Sequence, residues 1–335
     1  MGGIAVRIVA CIGALIAIIS GIPSPASAQS RSILQIAQGR VAGLSDGDIN
    51  VFKGIAYALP PVGERRWRPP AAPRPWRGIF DASAFGASCA QPPYPANSVY
   101  FEALAATSED CLTLNVWAPK NARDAAVIVW IHGGALQRGT SASPMYDGAE
   151  YARRGIIFVS INYRLGVFGW LAHPGLSAES PEGISGNYGL LDQIAALTWV
   201  QDNVGAFGGD AKNVTIMGES AGALSISYLL ASPRAHGLFA KAIMQSVNIR
   251  AVPRLRESAF GMPAAETIGA ALGKDIGALR SLDAKTLMTK ARQAGFPAQG
   301  TIDSLILPAQ VVDIFDRSEQ AKVPILTGYN SGEIR

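Results

Sequence analysis

Charge is scarce in this chain. Asp, Glu, Lys and Arg make up 16% of its 335 residues, and the net charge is +4. So small a surplus over that length supplies neither a basic face for nucleic acid nor an acidic tail. The one arginine cluster (Arg65, Arg66, Arg68, Arg74 and Arg77) is interleaved with prolines and reads as a solvated loop. Histidine and cysteine are rarer still, at three each. Neither the spacing of the cysteines nor their neighbours suggest a metal site, so no metal and no cofactor is expected. Internal repeats and low-complexity tracts are absent. What remains is a chain 49% hydrophobic, long enough to bury a large core.

Residues 1–28 have the make-up of an export signal. Arg7 gives a positive start, Ile8 to Ile19 is apolar, Pro23 and Pro25 break any helix, and Ala26-Ser27-Ala28 supplies small residues for cleavage. The apolar run is too short to span a bilayer. No other membrane segment is read, so the mature chain is expected to begin near Gln29, secreted or periplasmic. Cys11 leaves with the leader. An isolated pair, Cys89 and Cys111, remains, and in an oxidising compartment it reads as a disulfide rather than as two unrelated buried thiols.

Gln35 to Tyr57 predicts two or three short strands, with turns at Gly39, Gly43 and Asp46-Gly47. Pro60 to Pro75 is irregular, and Leu112 to Trp117 is a strand. Strand and helix then alternate. Ala125–Ile131, Gly155–Asn162 and Val214–Met217 are apolar strands, as in a sheet covered on both faces. Leu190 to Asn203 has helical periodicity. Ala240 to Gln245 and Val323 to Gly328 add later strands. Residues 263 to 294 read as helices, with Asp283 as an N-cap. The expected class is α/β, a mostly parallel central sheet flanked by helices.

Two glycine-rich turns carry the chemistry. Gly218-Glu-Ser220-Ala-Gly222 lies between the strand Val214–Met217 and a helix-compatible stretch from Ala223 to Leu230. That is the context a nucleophile elbow requires, with small residues two places either side of a serine held in a strained turn. Upstream, Ile131-His132-Gly133-Gly134-Ala135 closes a strand, and its glycines leave backbone N–H groups free to face a developing negative charge.

The chain resembles the type-B carboxylesterases of the cholinesterase/carboxylesterase family. The resemblance is carried by Phe52-Lys-Gly-Ile-Ala-Tyr-Ala58, Glu109-Asp-Cys-Leu-Thr-Leu-Asn-Val-Trp117, Asn162-Tyr-Arg-Leu-Gly166, Gly186-Asn-Tyr-Gly-Leu-Leu-Asp-Gln193, Phe207-Gly-Gly-Asp210 and the elbow itself. It runs from about residue 35 to the end. It implies an α/β-hydrolase domain over 29–335 and hydrolysis of small carboxylic esters through an acyl-enzyme, with no nucleic acid and no membrane in the mature chain. Ser220 would be the nucleophile. Gly134, Ala135 and Ala221 would form the oxyanion hole. Glu333, in Gly328-Tyr-Asn-Ser-Gly-Glu333, would be the triad acid, and Cys89–Cys111 the family's first disulfide. Choline esters are disfavoured, because the loop between those cysteines has Tyr94, Tyr100 and Phe101 but no Trp to face a quaternary ammonium.

One member of the triad finds no match. In this fold the histidine follows the acid, whereas His132, His173 and His236 all precede Glu333. The expectation is a domain incomplete at its C-terminus and lacking the triad histidine, hence its final strand and helices. Activity is then crippled, because triad members act as a unit. The competing reading is an inactive esterase-like binding module or a non-functional fragment. Val247, where the family has glycine after Gln-Ser, is a second departure.

Overall fold

The computed structural model describes residues 1–2, 30–98, 101–104 and 106–333. The leader expected over 1–28 lies, from residue 3 on, outside the described residues, as does Tyr100. No helix among the described residues is long and apolar enough to cross a membrane.

One ten-stranded sheet organises the domain. Its strands are β1 (Arg31–Ile36), β2 (Gly39–Asp46), β3 (Ile49–Ala56), β4 (Ile79–Asp81), β7 (Thr113–Pro119), β8 (Ala125–Ile131), β9 (Ile157–Ile161), β10 (Gly209–Glu219), β11 (Lys241–Gln245) and β12 (Ile325–Gly328). A separate two-stranded piece pairs β5 (Ser88–Cys89) with β6 (Thr107–Ser108). The main order is β1-β2-β3-β7-β9-β8-β10-β11-β12, with β4 alongside β2.

The sheet is mixed. From β9 through β12 every pairing is parallel, as the alternation of strand and helix requires. Along the path β1-β2-β3-β7-β9 the pairings are antiparallel, with short turns joining β1 to β2 and β2 to β3, while β4 lies parallel to β2. The expected parallel character therefore holds for the half that carries the elbow. Gly43, read as a turn, lies within β2.

Alternate strand residues feed two apolar layers. Val116, Val129, Val159 and Ile216 face the larger core, which includes the helices Tyr188–Asn203 and Ala221–Ala231. Trp117, Trp130 and Phe158, their chain neighbours, face the other side, against Val51 and Ala152. The elbow helix is buried along almost its whole length.

Two buried arginines tie loops to this frame. Arg164 is 3% exposed and Asp192 0%. They pair through Nε–Oδ2 at 2.8 Å and Nη2–Oδ1 at 2.7 Å. Arg66 pairs with Glu109 (Nε–Oε2 2.7 Å) and donates to the Leu282 carbonyl at 2.7 Å. Arg66 thus departs from the solvated cluster expected of it, because its guanidinium clamps two loops. Arg65, Arg68, Arg74 and Arg77 are exposed.

Cys89 and Cys111 form a disulfide. Gln91, just inside that loop, donates from Nε2 to the Gly139 carbonyl (2.7 Å) and accepts the Gly139 N–H on Oε1 (2.9 Å). The cystine loop is thereby fastened to the turn that leaves β8.

Candidate active site

Ser220 stands between β10 and the helix Ala221–Ala231, with φ 53° and ψ −117°. No ordinary helix or strand residue adopts that backbone. It is held by its N–H donating to the Gln245 carbonyl (2.9 Å) and by its own carbonyl accepting from the Leu224 N–H (2.9 Å). Tight packing explains the flanking glycines. A methyl on Gly218 would sit 2.8 Å from the Ile131 carbonyl oxygen, and one on Gly222 would overlap the same oxygen. The Ser220 residue is exposed, at the N-terminal, positive end of an eleven-residue helix.

The glycine turn after β8 meets it there. A methyl on Gly133 would lie 3.4 Å from the Ser220 Cβ and 2.9 Å from Glu219 Oε2. Gly134, Ala135 and Leu136 follow with φ 106°, 58° and 57°. Such strained backbone persists only when the surroundings fix it, and it clusters at functional sites. The fixing bonds are visible: the Gly134 carbonyl accepts from the N–H of Gln137 (3.0 Å) and of Arg138 (2.9 Å). The N–H groups of Gly134 and Ala135 donate to no group among the described residues. Ala221, first in its helix, has an N–H with no partner four residues back.

The histidines do other work. His132 is 1% exposed and stacks on Tyr163, with ring centroids 4.5 Å apart. Its Nδ1 donates to the Gly133 carbonyl (2.9 Å), and Tyr163 Oη donates to the His132 carbonyl (2.8 Å). Burial pushes its pKa down to about 4, so the ring is neutral at pH 7. His173 uses both ring nitrogens: Nε2 donates to the Gly273 carbonyl (2.8 Å), and Nδ1 accepts the Gly175 N–H (3.0 Å). His236 is exposed beyond a short 3-10 turn, Pro233–Ala235.

Glu333 lies in a tight turn after β12, its Oε2 accepting the Asn330 N–H at 2.9 Å. A hydrogen bond from the Ser246 hydroxyl, with that backbone bond, holds its pKa below the ordinary glutamate value. Glu219 moves the other way: burial, then the negative charge of Glu333, raise its pKa. Both carboxylates, with Ser246 and Asn330, line an open recess of about 500 Å³. Val247 is buried, and its carbonyl accepts from the Tyr329 hydroxyl.

The elbow and the glycine turn therefore lie against each other. Three contributors were not singled out there: Glu219, Ser246 and Gln91. Ser246 has φ 57° and follows β11 directly. A strained residue at the C-terminal end of a parallel strand is a recognisable position, but only once the strand order is known. Among the described residues no group of three or more His, Cys, Asp or Glu could hold a metal ion.

A serine elbow capping a strand of a mixed, helix-flanked sheet, with a glycine turn lying against it, defines an α/β-hydrolase. Within that class the chain belongs to the carboxylesterase family, whose model matches residues 30–335. It is 42% identical over 332 residues to the fumonisin B1 esterase of Sphingopyxis macrogoltabida, covering 94% of this chain and 59% of that protein. It is 38% identical over 315 residues to the para-nitrobenzyl esterase of Bacillus subtilis (strain 168), covering 91% and 63%. A solved PNB esterase structure superposes with a TM-score of 0.81 at 36% identity, covering 90% of this chain and 63% of that one. The chain thus spans about three fifths of the length of these relatives.

Proposed function

We propose that this chain carries the nucleophile half of a serine carboxylesterase. The observation that carries the reading is the strained Ser220 backbone, φ 53° and ψ −117°, with the Gly133–Ala135 turn against its Cβ. In the proposed reaction Ser220 Oγ attacks the ester carbonyl and its proton passes to a base. The oxyanion accepts from the N–H groups of Gly134, Ala135 and Ala221. The bond to the alcohol oxygen then breaks, the alcohol leaves protonated, and water releases the acid from the acyl-enzyme. Glu333 takes the role of triad acid; its bonds to Ser246 and Asn330 keep it ionised.

None of the three histidines is proposed as the base. His173 has both nitrogens engaged, His132 is buried within the turn's support, and His236 is exposed beyond the Pro233–Ala235 turn with no bond to Ser220 or Glu333 among the described residues. A serine with no base beside it is a poor nucleophile, so the reaction needs a base brought to Ser220. The cystine supports placing the protein in an oxidising compartment, secreted or periplasmic.

Two measurements on the purified chain test the reading: labelling by a fluorophosphonate, and hydrolysis of p-nitrophenyl hexanoate. Labelling that disappears in Ser220→Ala is the expected result. Labelling that persists in that variant, or none at all, favours the inactive binding module.

A further inference from the structure

A second recess, of about 860 Å³, opens where four parts of the chain converge, one of them Leu165 to Phe168. Its other walls are the start of the cystine loop (Gln91 to Pro95), the end of the glycine turn (Gln137 and Arg138), and one side of the helix Ala284–Gln293 with the residues after it. Its apolar lining includes Val167, Phe168, Met288 and Phe296. Its charged lining is of one sign: Arg138, Lys285 and Arg292, with no acidic residue on the wall.

Among the described residues none of these cations is paired with a carboxylate. Arg138 donates from Nε to the Pro92 carbonyl (3.1 Å), and its guanidinium lies 5.2 Å from the Tyr94 ring centroid. No ion pair among the described residues involves Arg138, Lys285 or Arg292, although eleven arginine–carboxylate pairs form elsewhere. In a protein so poor in charge, three unneutralised cations around one apolar recess give a locally positive field. Arg138 also ties the recess to the chemistry. Its N–H and that of Gln137 donate to the Gly134 carbonyl, so the cation follows an oxyanion-turn residue by four positions. Gln91 holds the opposite wall to the same turn.

We propose that this recess binds the acid end of a carboxylate-bearing ester. The apolar wall takes the methylene chain and the three cations take the charge. A guanidinium offers the carboxylate a bidentate partner, and two further cations suit a substrate with more than one acid group. The inference rests on the esterase reading only for the word ester; binding of the anion does not need catalysis.

Two inert amides separate the issues. Adipic acid monoanilide and hexananilide have acyl chains of equal length and differ by one carboxylate. Affinity measured by ligand-observed NMR is expected to favour the anionic amide by about tenfold at low salt, with the preference shrinking at high ionic strength. The ratio is expected to collapse in the triple variant Arg138→Gln, Lys285→Gln, Arg292→Gln. It should persist in Lys290→Gln, an exposed lysine of the same helix outside the recess. Equal affinities in the parent chain, or a ratio that survives the triple substitution in a variant with unchanged circular dichroism, overturns the proposal. Hydrolysis of p-nitrophenyl hexanoate is scored apart. Loss of the amide preference with that hydrolysis intact sinks the recess alone; no hydrolysis with the preference intact sinks the esterase reading alone.

Discussion

The backbone of Gly222 runs against the carbonyl oxygen of Ile131, leaving no room for a methyl group between them. The elbow helix and β8 are thus in direct backbone contact, and the glycine turn begins at the next residue, His132. Gly222→Ala must push the two apart. The expected cost is about 2 kcal/mol of stability, typical of overpacking. Because the displaced strand carries the glycine turn that lies against Ser220, fluorophosphonate labelling of Ser220 should fall more than the fold does. Chemical denaturation and labelling of the same preparation check this; labelling at the parent rate would show that the contact does not position the turn.

The cystine closes a loop of sequence separation 22. A loop of that size confers about 3 kcal/mol, chiefly by restricting the unfolded chain. The double variant Cys89→Ala, Cys111→Ala should lose about that much in a denaturant titration. Gln91→Ala should cost less, about 1 kcal/mol per lost hydrogen bond, yet loosen the glycine turn through Gly139. Hydrogen exchange at the residues 133–139 reads the second effect.

The Arg164–Asp192 pair is fully enclosed, and Asp192 also accepts the Arg164 backbone N–H at 3.0 Å. Removing one partner strands a charge away from water. Asp192→Ala is expected to destabilise by about 3–5 kcal/mol. A shift in the denaturation midpoint smaller than that of Gly222→Ala would contradict it.

Glu219 and Glu333 respond oppositely to pH. The folded pKa of Glu219 is raised, so the native state binds its proton more tightly than the unfolded chain. That cost is absent below the ordinary glutamate pKa and grows as pH rises toward the raised value. Glu219→Gln should therefore stabilise the protein near pH 7 and not near pH 4. The gain is about 0.5 kcal/mol after solvent screening is allowed for. Glu333 is depressed, so its contribution exists above the ordinary value and is lost as pH falls. Thermal melts of both variants across this range test the signs, and Glu333→Gln should bring the Glu219 pKa down.

Much of this architecture was legible because the chemistry is local. A strand, a glycine, a serine and another glycine can only turn one way, and Ser220 adopts that turn. Asp283 caps its helix by accepting the Thr286 N–H, as its place before an apolar-faced helix implied. The long-range features were not legible. Arg66 looks solvated among its neighbours until Glu109 and the Leu282 carbonyl are brought to it across the fold. Ser246 acquires meaning only when β11 and β12 pair in register, placing its N–H on the Gly328 carbonyl and its hydroxyl on Glu333. The positive recess draws its cations from residues 138, 285 and 292, a separation no sequence window spans.

The open recess bounded by Glu219, Ser246 and Glu333 leads to the last prediction. At about 500 Å³ it has room for an imidazole ring. One rim is Glu219, adjacent in sequence to Ser220, and the other is Glu333, whose pKa is held low, so a ring bound there would have a carboxylate to orient it. Free imidazole at tens of millimolar should therefore accelerate p-nitrophenyl hexanoate hydrolysis by the chain beyond its own reaction with the ester in buffer. An enhancement of about tenfold is modest against the 10²–10⁴ that a positioned base contributes, because a diffusing ring is poorly held. The enhancement should saturate with imidazole concentration, vanish in Ser220→Ala and weaken in Glu333→Gln. A linear, unsaturable rise identical in the Ser220→Ala variant would mean that imidazole acts on the ester alone and that the recess does not serve the serine.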